Sequence, residues 1–179
     1  MKKLLTLALS LALVSPAFAQ KMGGSNRSAP TVKQSVEAGA AKMSLDYTAI
    51  TWADGNMMKM LADKENGAGA RKMVNDSAPK SPLASFSSSV DVKCGELHIP
   101  AGDYKVFFTI DDDCHWHLNF QKGEDKALSM KLELAASEHE SGRLLMCLYA
   151  EDKGAGVYLS FGSHTGMLTF APVKPAEHR

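Results

Sequence analysis

His115 and His117 stand two residues apart on either side of Trp116. On a β-strand such a pair points to one side with Cα atoms roughly 6.5–7 Å apart, a separation from which two imidazoles can grip one metal ion. Carboxylates or a third histidine would complete the site, and His98 or His164 could supply the latter. Without such ligands, the two rings are half-exposed polar groups on the solvated side of a hairpin. The same side offers a second chemistry. Lys105, Phe107, His115, His117 and Asn119 share it, and one ring among amine, imidazole and amide groups suits stacking and hydrogen bonding to a sugar or other small polar ligand. The competing reading lays the methionine-bearing segment 57–73 over that face and makes Phe107 ordinary core.

Other groups carry less. Asp111, Asp112 and Asp113 present oxygen atoms, but they lack the spaced acids and the glycine of a calcium loop. They read as a solvated hairpin turn. Gly67-Ala68-Gly69-Ala70-Arg71 follows no strand, and no acid stands at the distance expected of a nucleotide-binding turn. Neither serine nor cysteine has an assignable base beside it. Cys114 falls in the apolar row of its hairpin and Cys147 lies between Leu145 and Tyr149 in mid-strand, so both are expected to be buried and inert. If consecutive strands run up and down, Cys94 and Cys114 come to the same end of the sheet, which makes them the candidate disulfide pair. An odd total of three leaves one thiol over.

The elements that position these groups are mostly strands. The period-two segments are 32–36, 41–47, 85–93, 104–110, 114–121, 128–135, 144–150, 157–161 and 167–171, separated by Gly, Pro, Asp and Ser turns. One stretch differs. Over 54–75 the period becomes helical, with Met57, Met60 and Leu61 on one face behind an Asp54 cap. The pattern predicts a mainly β fold: an antiparallel β-sandwich or jelly roll of about nine strands with a short helical insertion. With Asp111 to Asp113 as the loop, Ile110 faces Cys114, Phe108 faces Trp116, Val106 faces Leu118 and Tyr104 faces Phe120, all on the buried side.

The N-terminus sets the compartment. Met1-Lys2-Lys3, an apolar run from Leu4 to Val14 and the ending Ala17-Phe18-Ala19 read as a secretory signal over 1–19. A mobile leader is expected over 20–30, one β-sandwich domain over 31–173 with its helical insertion at 54–75, and a tail over 174–179. Loss of Lys2 and Lys3 leaves 18 basic against 20 acidic residues, a formal charge of −2 with no basic stripe. Nucleic acid is therefore not an expected partner. No later segment reaches the roughly 18 apolar residues of a spanning helix.

Leu97-His98-Ile99-Pro100-Ala101-Gly102-Asp103-Tyr104, followed by Phe107 to Ile110 and by Trp116 to Phe120, resembles the exported bacterial family catalogued as domain of unknown function 2911. Ser28-Ala29-Pro30, Val32 to Val36, Leu45-Asp46-Tyr47 and Gly156 to Gly162 extend the likeness over most of the mature chain. The resemblance implies export and a strand, a Pro-Ala-Gly turn, a strand and a tryptophan-bearing strand in succession. It implies no activity. The polar segment with a Trp-Arg pair that precedes the turn in that family is replaced here by the segment 56–75 and a Pro/Ser loop, and the family's late tryptophan by Phe161. The function expected is a non-catalytic exported binding module for a sugar, glycan or other small polar ligand, with no cofactor. The alternatives are a metal-dependent enzyme using His115 and His117, and an envelope-associated structural or interaction protein.

Overall fold

The computed structural model describes residues 29–39, 41–52 and 55–173. The signal segment, all of the leader but its last two residues, the Asp54 cap and the tail lie outside them. The described residues form ten strands, two α-helices and a 3-10 turn: β1 Thr31–Ala38, β2 Ala41–Thr48, α1 Asn56–Ala62, α2 Ala68–Ser77, a 3-10 turn Ala78–Lys80, β3 Ala84–Ser88, β4 Val92–Cys94, β5 Leu97–Ile99, β6 Gly102–Ile110, β7 Trp116–Gln121, β8 Leu128–Lys131, β9 Leu134–Glu151 and β10 Gly154–Pro172. They make two antiparallel sheets, ordered β1-β2-β3-β6-β7-β8 and β5-β4-β10-β9. The β-sandwich class expected from the sequence is what forms, with the helical insertion where the period changed. No helix among the described residues is long and apolar enough to cross a membrane.

The strands depart from the expected ones in several places: the segment 128–135 is divided between β8 and β9 of different sheets, Leu97–Ile99 forms a strand outside the period-two segments, and β9 runs on through 136–143. The segment expected as one strand over 85–93 is two, because the chain leaves the first sheet after Ser88 and enters the second at Val92. Between them Ser88 Oγ donates to the Val90 carbonyl at 2.7 Å, and Asp91 Oδ1 accepts from the Ala101 N–H at 2.8 Å. Strand β10 does not run straight, since the sixteen rises from Gly154 to Phe170 would carry those two residues about 50 Å apart. Yet Gly154 lies against the Phe170 carbonyl, with no room for a side chain. The strand doubles back at the bend around Gly162, whose φ of 51° suits glycine. The two arms on either side of that bend are the segments 157–161 and 167–171.

Side-chain amides complete the ladder where backbone partners run out. Asn75 receives the Ile110 N–H on Oδ1 at 2.9 Å and donates Nδ2 to the Ile110 carbonyl at 2.8 Å. It thereby ties α2 to the end of β6, beyond the reach of β3. Gln34 of β1 does the same between the sheets, donating to the Met146 carbonyl at 2.6 Å and accepting from the Leu148 N–H at 2.9 Å. Each amide satisfies one donor and one acceptor that an open strand edge would leave unpaired.

The core fills the space between the sheets and carries the aromatic residues of both. Trp116 of β7 lies 5.4 Å from Phe161 of β10 and 5.9 Å from Trp52, while Phe86 of β3 stacks on Phe170 at 4.9 Å. Helix α1 has seven residues and no side-chain cap, so packing must hold it. It buries Leu61 and leans Met57 and Met58 on the core, whereas Met60 is 49% exposed. The expected stripe of Met57, Met60 and Leu61 is thus one residue off on its middle member.

Candidate functional site

The β6–β7 hairpin decides where the sequence-derived residues fall. Its pairs are Ile110 with Trp116, Phe108 with Leu118 and Val106 with Phe120, so the register differs by two residues from the expected one. The loop takes five residues rather than three. Asp111 N–H donates to the His115 carbonyl at 3.0 Å, its Oδ1 accepts from the His115 N–H at 2.8 Å, and Cys114 takes a φ of 66°. A shift of two preserves the face of every strand residue, and Tyr104, Val106, Phe108, Ile110, Trp116, Leu118 and Phe120 are all buried. Cys114 leaves the apolar row and becomes part of the turn.

Lys105, Phe107, His117 and Asn119 do share one face, with Phe107 opposite Asn119 and Thr109 opposite His117. The expected platform does not form there, however. Phe107 is 5% exposed and Asn119 is 5% exposed, with α2 and the 3-10 turn packed against β6. The Asn119 amide is spent internally, on the Phe107 carbonyl at 3.2 Å and Thr109 Oγ1 at 2.9 Å. Lys105 sits at the rim, 4.0 Å from Glu124.

His115 and His117 converge on a carboxylate. Asp111 Oδ2 lies 3.3 Å from His115 Nδ1 and 3.0 Å from His117 Nε2. An ionised carboxylate only accepts, so each imidazole donates from that nitrogen. Neither histidine expected as a third ligand joins them: His98 pairs with Asp91 at 3.2 Å in the other sheet, and His164 stacks on Phe161. Among the described residues no three His, Cys, Asp or Glu side chains are arranged to hold a metal ion. Burial pushes the Asp111 carboxyl up, but hydrogen bonds from His117, from the His115 backbone and from the His115 ring outweigh it and hold the group down at about 2.

A pH dependence follows. A carboxyl whose folded value is depressed contributes stability that is fully present above its unfolded value, about 3.9, and is lost as pH falls through the folded one. Asp111→Asn should therefore cost stability at pH 5, and the gap from wild type should close as pH approaches about 2. Denaturant melts of both proteins at steps through this range measure it. A gap independent of pH would refute the ionised clasp.

The three thiols are free, so the expected Cys94–Cys114 bridge is absent. Cys94 lies in β4 opposite Phe170, buried in the core, and burial pushes its thiol up to about 11. Cys114 sits in the turn, where Sγ accepts from Arg71 at 3.4 Å. The expected burial of Cys114 and Cys147 is also corrected, since Cys114 is half-buried and Cys147 exposed. Alternation on β9 explains the latter: Leu144, Met146 and Leu148 take the core side.

A concave site is at one end of the sandwich. A cleft of about 550 Å³ opens between α1, the Cys114–Trp116 turn, the segment after β8 and the bend of β10. That volume is within the range of small-molecule sites. Met58, Leu61, Trp116, Leu132 and Leu134 give it an apolar lining. Lys59, Lys131, Glu133, His115 and His164 supply polar groups. Of the residues the sequence offered as ligands, His115 and His164 reach this lining. His164 Nδ1 is buried without a hydrogen-bond partner. No family model matches the chain, and neither a curated protein nor a solved structure does.

Proposed function

We propose that this chain is an exported, non-catalytic binding module whose small ligand, apolar in body and polar at one end, occupies the end cleft. The observation that carries the reading is the lining itself: apolar side chains that include Trp116, with a few polar ones among them. Sites of that composition hold ligands by desolvating the apolar part and orienting the polar part. The relocation from the outer face of β6 and β7 follows from the burial of Phe107 and Asn119. Export rests on the basic tip, the short apolar run and the Ala17-Phe18-Ala19 ending, and it agrees with the family resemblance. The intact mass of protein secreted by a bacterial host should correspond to a chain starting at Gln20; a mass retaining Met1 would refute export.

The binding test uses 8-anilinonaphthalene-1-sulfonate, a compact aromatic probe that brightens when desolvated. Ala62 is exposed and lines the cleft, so Ala62→Trp should fill it at little cost to stability. Wild-type protein should show saturable one-to-one binding, and the variant should bind about tenfold or more weakly, a loss of about 1.4 kcal/mol. Unchanged thermal melts exclude a loosened core as the dye's target. Equal binding by the two proteins would place the dye elsewhere and overturn the reading.

A further inference from the structure

The cleft is lopsided in charge. Lys59 and Lys131 both line it and neither is ion-paired with any described carboxylate. Glu133 is the single acidic side chain of the lining, and it too is unpaired among the described residues. Two imidazoles also belong to the lining. His115 lines the cleft with its Nδ1 held by Asp111. His164 lies flat on Phe161, at 15° between ring planes, with Nδ1 buried and unpartnered.

Resting on the cleft as the binding site, we infer that its ligand is a small organic anion: a compact apolar body bearing one carboxylate- or sulfonate-type head. A neutral polar head would leave the two ammonium groups opposed in the lining by Glu133 alone, an excess of positive charge. An anionic one gains charge-assisted hydrogen bonds, which are roughly twice as strong as neutral ones, beside an apolar lining that weakens solvent screening. The apolar body packs on Trp116 and Leu132, both already almost fully buried by the fold and therefore fixed in place before the ligand arrives. The anionic head meets the lysines at the exposed rim, so the preference depends on ionic strength.

A matched pair of probes isolates the head. 8-Anilinonaphthalene-1-sulfonate and N-phenyl-1-naphthylamine share the fused aromatic body and differ in the sulfonate. Wild-type protein should bind the sulfonate about tenfold more tightly at low salt, and a Lys59→Gln, Lys131→Gln double variant should lose that preference while binding the neutral probe as before. Raising the salt to about 0.5 M should narrow the preference in wild type and leave the neutral probe unaffected. Equal wild-type affinities for the two probes, both weakened by Ala62→Trp, would overturn the anionic ligand and keep the cleft as the site. A double variant that binds the sulfonate like wild type would also overturn it. Absence of saturable binding by either probe overturns the anionic ligand and the binding-module reading together.

Discussion

Trp116→Ala should lower the stability of the fold by about 3–5 kcal/mol, the cost of deleting a large buried aromatic side chain and leaving its cavity. Trp116 is 8% exposed and links the two layers, with ring centroids 6.0 Å from Phe108 in its own sheet and 5.4 Å from Phe161 in the opposite one. Trp52 closes the cluster at 5.9 Å from Trp116 and 4.6 Å from Phe161. Its neighbour His117 points to the other side of β7, half-buried, with one bond to Asp111. His117→Ala should therefore cost under about 1 kcal/mol, as expected of a site away from the core. Denaturant melts of the two variants compare them directly. If the histidine variant unfolds and the tryptophan variant does not, the strand faces are inverted and the core lies on the other side of the sheet.

That contrast was legible because parity survives errors of register. Placing the loop at Asp111 to Asp113 paired Phe108 with Trp116, whereas Phe108 pairs with Leu118, yet a shift of two leaves each side chain on its own face. What parity cannot report is how each face is covered. The sequence leaves Phe107 open between an exposed ring and core beneath the segment 57–73, and the packing of α2 against β6 decides for core. Cys114 read as core because the expected loop stopped one residue short of it, and only its φ of 66° takes it out of the strand. Gln34 and Asn75 look like ordinary polar residues in sequence, and their roles emerge when distant backbone groups need a partner. The cleft was hidden for the same reason. Its lining comes from residues as far apart as Gly55 and His164, with no local spacing to connect them.

Arg71 is the second residue whose loss should be severe, and nothing in its sequence neighbourhood announces it. The side chain is 3% exposed and no described carboxylate forms an ion pair with it. The guanidinium instead gathers the end of α1 and the turn beyond it. It donates to the carbonyls of Asp63 at 2.6 Å, Leu61 at 3.3 Å and Lys64 at 3.3 Å, and to Cys114 Sγ at 3.4 Å. Gly67 permits this approach, since a side chain there would overlap the Met60 and Asp63 carbonyls and crowd the guanidinium. A planar group with several fixed donors suits carbonyls at three neighbouring positions, which one ammonium cannot serve together. Arg71→Met keeps much of the apolar stem and strands the carbonyls, each at about 1–3 kcal/mol if it stays buried, so a loss of about 3 kcal/mol or more is expected. Arg71→Lys should recover only part of it. Because Leu61 and Ala62 line the cleft, both variants should also weaken 8-anilinonaphthalene-1-sulfonate binding in step with the loosening of α1, measurable as faster proteolysis between Met60 and Gly67. A loss under about 1 kcal/mol in Arg71→Met would mean that water reaches those carbonyls and that α1 is held by its apolar contacts alone.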